Sequence, residues 1–167
     1  EMQTRYWFRM RARDEAGNVS AATVEVSVET HGEHGVTQLA VGLKHVCALT
    51  SHGKVSCWGD NEYGQLGDGS NFPSEEPFEV LALSSVVSIA AGDFHSCALR
   101  ADGTVWCWGR NDVGQCGTDA DGPLLVAQVV EGLVSTRKIA LGAQHSCAIG
   151  VSGNLWCWGS NSQSQLA

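Results

Sequence analysis

The sequence predicts an all-β fold, a partial β-propeller, and three observations carry that expectation. One block recurs three times at a spacing of fifty residues, in unbroken register from Gly42 to Gln165. Each full copy holds four short apolar or alternating runs punctuated by glycine, the strand content of one propeller blade. No stretch of convincing length carries the apolar period of a helix. A solenoid of stacked β-units is the alternative that such a period allows.

Bulk properties exclude several classes. The 167 residues are enough for one domain with a real core, with 43% hydrophobic and 17% charged. The formal net charge of -8 repels a phosphate backbone, so nucleic acid is not expected as a partner. No apolar run approaches the ~20 residues of a membrane span, and no stretch near residue 1 has a signal-peptide layout.

Residues 1–30 read as two strands. Tyr6, Phe8, Met10 and Ala12 alternate with Trp7, Arg9, Arg11 and Arg13, and Val24, Val26 and Val28 alternate with Glu25, Ser27 and Glu29. Asp14 to Asn18 supply the turn between them. The basic stripe reads as a solvated sheet face, given the glutamates beside it. A lone hairpin is marginal in water, so this pair needs further partners. The run Thr4 to Asp14 with Ala16 to Ser20 resembles the end of a fibronectin type III domain. That resemblance implies a β-sandwich remnant with Tyr6 as its tyrosine-corner residue. Residues 31–35, with His31, Glu33 and His34, read as a linker and hold too few ligands for a metal site.

The propeller repeats divide at about 36–85, 86–135 and 136–167, the last cut short. In the second copy Val86 to Ala91, His95 to Leu99 and Thr104 to Trp108 read as strands, and Leu124 to Val130 as a fourth. Ala101-Asp102-Gly103 fits a three-residue hairpin loop with its glycine left-handed, as do Ser51-His52-Gly53 and Val151-Ser152-Gly153. Counting back from that loop sets Cys47 opposite Cys57, Cys97 opposite Cys107 and Cys147 opposite Cys157. Each falls on a non-hydrogen-bonded pair, with Cα atoms ~4.5 Å apart, at the short end of the disulfide range. Three bridges are expected, with free core thiols as the alternative. A metal site using His45, Cys47 and Cys57 lacks a fourth ligand. On the other face Ser96 and Ala98 sit across from Trp108 and Trp106, and Ser146 and Ala148 from Trp158 and Trp156. Small residues beside each indole let neighbouring blades close over it.

The remaining recurrent positions are Gly42, Gly92 and Gly142; His45, His95 and His145; Gly53, Gly103 and Gly153; Trp58, Trp108 and Trp158; Gly59, Gly109 and Gly159; and Gln65, Gln115 and Gln165. Their identical recurrence suits structure better than a single active site, and the histidines read as hydrogen-bonded turn residues at the blade edge. Cys116 replaces Leu66 and reads as a small buried hydrophobe.

Gly92, His95 to Leu99, Asp102-Gly103, Val105 to Gly109, Asn111 and Gly114-Gln115 resemble the repeat of the regulator of chromosome condensation family. Trp58-Gly59, Asn61 and Gly64 to Gly69 give its ending most fully, and Ser164 departs from it. The resemblance implies a propeller, usually of seven blades, so further blades from a longer parent are expected. It also allows guanine-nucleotide exchange on a small GTPase, a role that needs a protruding loop insertion, and none stands out between the copies.

No catalytic constellation emerges. Gly64 to Gly69 lacks the lysine and hydroxyl of a phosphate loop, and Asp68 to Ser70 and Asp119 to Gly122 lack a full calcium-loop pattern. No cofactor is expected. The variable stretches, Asn71 to Glu76 and Thr118 to Gly122, are where a rigid scaffold presents function. An acidic rim of Glu75, Glu76 and Glu79 with Tyr63 and Phe72 is the expected protein-partner loop. The resulting reading is a non-enzymatic interaction scaffold, part of a secreted or cell-surface, bacterial, multidomain protein. An accessory module of an extracellular carbohydrate-active enzyme is a further alternative.

Overall fold

The computed structural model describes residues 3–9, 25–31 and 35–166, the first two segments by backbone alone. Strands β1 (Gln3–Arg9) and β2 (Glu25–His31) form an antiparallel pair with Tyr6 opposite Val28. His31 thus ends a strand and does not begin the linker. The expected turn at 14–18, Met10 to Arg13 and the linker residues 32–34 lie outside the described residues, as does the Tyr6 side chain.

The repeats fold as blades. Blade one comprises β3 (Val36–Val41), β4 (His45–Thr50), β5 (Val55–Gly59) and β6 (Ser74–Glu79), hydrogen-bonded in chain order. Blade two repeats this with β7 (Val86–Ala91), β8 (His95–Arg100), β9 (Val105–Gly109) and β10 (Leu124–Val129). Blade three has β11 (Thr136–Leu141), β12 (His145–Gly150) and β13 (Leu155–Gly159). All neighbours are antiparallel. Strand β7 lies against β3 on one side and β11 on the other, so the blades converge along their first strands, and β6 and β10 are the outermost strands of their sheets.

The stretch containing Glu75, Glu76 and Glu79, expected as a loop, is instead strand β6. Pro73, Pro77 and three glutamates hide its pattern in the sequence. Pro77 is tolerated because an edge strand can leave one side of its ladder unpaired.

The central hairpin has the register read from its loop. Gly53, Gly103 and Gly153 are left-handed, at φ 72°, 81° and 88°. Thr50 N–H bonds the Lys54 carbonyl and Gly53 N–H the Thr50 carbonyl, each at 2.9 Å. The loop also docks the next blade, since Val86 N–H donates to the Gly53 carbonyl at 3.1 Å and Thr136 N–H to that of Gly103 at 3.0 Å. A Cβ on Gly53 would sit 2.8 Å from Val86 N, so glycine is needed there for space as well as for φ.

Within each hairpin the cysteines face each other at a Cα–Cα distance of 4.1 Å, their sulfurs at bonding distance of 2.06, 2.07 and 2.13 Å. Around them lies one apolar core spanning the blades, including Leu49, Val55, Leu66, Leu99, Val105 and the fully buried Trp108.

Candidate functional site

Two regions qualify by chemistry: the seams between blades, where histidine, serine and glutamine meet, and the outer edge of blade one.

Each seam is built from a glycine, a histidine and the serine of the following blade. Gly42, Gly92 and Gly142 leave room for the imidazole three residues on; a Cβ there would lie 2.1–2.2 Å from its Cε1. The ring is thereby turned toward the next blade. His45 Nε2 lies 2.7 Å from Ser96 Oγ, and His95 Nε2 lies 2.9 Å from Ser146 Oγ. The Ser146 hydroxyl donates its proton to the Gln115 carbonyl at 2.9 Å, so His95 is the donor to Ser146. The same carbonyl accepts the Trp158 indole N–H at 3.0 Å, as the Gln65 carbonyl accepts that of Trp108 at 2.8 Å. Histidines expected at the blade edge are instead sealed between blades, with His45 at 1% and His95 at 0% exposure.

The loop offering that carbonyl is held by its own buried amides. Asn61 Oδ1 accepts Leu66 N–H at 2.9 Å and Gln65 Oε1 accepts Tyr63 N–H at 2.8 Å. Asn111 and Gln115 repeat the arrangement, as do Asn161 and Gln165. Ser164 keeps the left-handed backbone of Gly64 and Gly114, at φ 60° against 75° and 74°. The departure from glycine therefore costs strain, not shape.

A histidine bonded to a serine hydroxyl invites comparison with a nucleophile and its base. The chemistry runs the other way. At Ser146 the serine proton goes to a carbonyl and the imidazole donates, and Ser96 and Ser146 are 1% and 0% exposed, closed to any substrate. Burial keeps both rings neutral, pushing His45 down to about 4 against the opposing pull of Asp60. His95 is pushed down to about 3, by burial first and then by His45 and His145 on either side. These are structural polar contacts that fix how blades stack.

Among the described residues no three His, Cys, Asp or Glu side chains converge as a metal group would require. The Asp68 carboxylate is taken up within its own turn by Ser70 N–H at 2.9 Å, Ser70 Oγ at 3.0 Å and Asn61 Nδ2 at 3.1 Å. Cys116 is fully buried, and burial pushes its thiol well above the usual range, which leaves it inert.

The residues of the expected partner loop separate into two places. Tyr63 packs on blade two, its ring 5.3 Å from that of Phe94 with the Arg110 guanidinium 5.1 Å above it. Phe72, Glu75, Glu76 and Glu79 lie together on and before β6, all exposed. Phe78 on the same strand is 52% exposed, and Glu79 pairs with Lys54 at the surface. Sequence reasoning missed Phe78, Phe94 and Arg110. Phe78 had been hidden by the loop reading of β6, and the other two sit in places where the third copy has Gln144 and Ser160.

Comparison with known proteins places this geometry. The profile of the regulator of chromosome condensation (RCC1) repeat matches residues 36–65, 86–115 and 137–165, and a second profile of the same description matches 52–99 and 102–149. The chain is 33% identical over 64 residues to the ultraviolet-B receptor UVR8 of Arabidopsis thaliana, covering 38% of this chain and 14% of that protein. It is 45% identical over 49 residues to the mitochondrial RCC1 domain-containing protein RUG3 of the same plant, covering 29% of this chain and 11% of that one. Among solved structures, Prp20p of Saccharomyces cerevisiae superposes with a TM-score of 0.76 at 25% identity, over 96% of this chain and 40% of that one. The Prp20p study describes its binding to Gsp1p and histones. The chain thus spans well under half the length of these relatives.

Proposed function

The chain belongs to the regulator of chromosome condensation repeat family, and from that premise we propose that it forms part of a non-enzymatic interaction propeller working in an oxidising compartment, secreted or at a cell surface. The pair of facing cysteines in every blade carries this reading. Three cross-strand disulfides are at home outside the cytosol, where thiols are not kept reduced. The binding of Gsp1p and histones described for Prp20p supports a protein partner for this chain too. In this chain His45, His95, Trp108 and Trp158 are engaged in stacking blades, and the outer edge of blade one is open for recognition.

That edge joins two exposed rings, Phe72 and Phe78, to the carboxylates of Glu75, Glu76 and Glu79. Aromatic anchors with a charged surround are the composition of a protein-binding patch, and the acid here selects a basic partner surface. Charge reversal at Glu75, Glu76 and Glu79 to lysine tests it. Retention of extracellular proteins on the immobilised chain should fall about tenfold or more at low salt, with circular dichroism unchanged. Equal retention by the reversed chain refutes the acidic edge.

A further inference from the structure

The two closed seams separate what blade stacking requires from what it does not. Both are held by the same bonds, histidine to serine and indole N–H to glutamine carbonyl. At one end of the first seam three further side chains meet across it, Tyr63 from blade one with Phe94 and Arg110 from blade two. The same places in the second seam hold Val113, Gln144 and Ser160. That seam closes without such a cluster, so stacking does not call for it.

The cluster is a rigid platform between two complete blades. The Tyr63 and Phe94 rings lie 5.3 Å apart, and the Arg110 guanidinium carbon is 5.1 Å and 6.0 Å from their centroids. Arg110 Nε is buried with no hydrogen-bond partner, seated on the rings. Nη2 donates to the Asp112 carboxylate at 2.5 Å, and the side chain keeps 26% of its surface open. Tyr63, Phe94 and Asp93 are half-buried, and Glu62 and Asp112 are exposed beside them.

The charges narrow what can sit on this platform. An acidic group would be repelled by Glu62, Asp93 and Asp112, and a basic one would meet Arg110 itself. A neutral aromatic ring stacks on the guanidinium without either conflict, and its indole N–H or phenol O–H finds carboxylate acceptors alongside. We propose that this end of the first seam is a docking surface for a protein partner that seats a tryptophan or tyrosine side chain on Arg110. It is a second surface, different in chemistry from the acidic edge of blade one.

Random peptides displayed on phage and panned on the immobilised full chain test this. The counter-screen is a Tyr63→Val, Phe94→Gln, Arg110→Ser chain, which carries at each place what the second seam carries; a cooperative urea transition certifies its folding. Peptides held by the parent and lost by this variant should be rich in tryptophan or tyrosine. As synthetic peptides they should bind the variant about tenfold or more weakly, and replacing their aromatic residue by alanine should cost as much. Arg110→Lys keeps the charge and gives up the flat stacking face; it should weaken them about threefold or more, and serves alone if the triple variant does not fold. Reversing Glu75, Glu76 and Glu79 to lysine should leave these peptides bound, which tells failure here from failure of the acidic edge. Variant-sensitive peptides selected for basic or acidic residues, or no variant-sensitive peptides, overturn the proposal, as does their loss on the glutamate reversal.

Discussion

His45 and His95 make the strength of the seams depend on pH. Both are neutral when folded, held down to about 4 and about 3 from an ordinary 6.5. Between those values the unfolded chain binds protons that the folded chain excludes, so stability is full above pH 6.5 and falls as the pH drops toward 4. At 1.36 kcal/mol per pH unit, His45 alone accounts for a loss on the order of 3 kcal/mol by the bottom of that window. Urea midpoints from pH 7 to 4 would show the decline, and a His45→Gln, His95→Gln chain should flatten it. Removing the partner is equally direct: Ser96→Ala should cost about 1–3 kcal/mol in denaturant unfolding. Gly92→Ala, which drives a Cβ to 2.2 Å from the His95 ring, should cost more than Ser96→Ala. The sequence showed that Gly92, His95 and Ser96 recur, but their contacts lie fifty residues away in another copy. The signal was present in the second and third copies, which pair histidine with a following serine while the first has Val46.

The hairpin was the most legible element, because a three-residue loop with a left-handed glycine leaves a single register. From Gly103 the count to Cys97 and Cys107 follows, and the structure pairs those residues. Strand β6 was not legible, since an edge strand needs hydrogen bonds along one side only and shows no alternation when its glutamates face water on the other. The cross-strand bridge closes a short loop, its cysteines at a sequence separation of 10. Replacing Cys97 and Cys107 together by serine should therefore lower stability by about 2–3 kcal/mol, read from the denaturant midpoint under non-reducing conditions. A null effect would mean that the hairpin is held by its glycine loop and ladder alone.

Across the whole molecule, blades share a core that continues through the seams, so position in the stack decides what a residue contributes. Val105 is sealed between two blades and Leu155 faces out, although they occupy the same place in their repeats. Val105→Asn should unfold or severely destabilise the chain, while Leu155→Asn should leave the thermal midpoint nearly unchanged. The propeller architecture was legible from the fifty-residue period, whereas the split of Tyr63 from the acidic edge was not, because it depends on Phe94 and Arg110 of the adjoining blade. The stapling of each blade in an oxidising compartment is the claim on which the functional reading stands, and thiol counting tests it most directly. The chain, produced through a secretory route, is denatured and alkylated before and after reduction, then weighed intact. Alkylation at Cys116 alone before reduction, and at all seven cysteines after it, is the predicted result. Seven alkylated cysteines without reductant would contradict it.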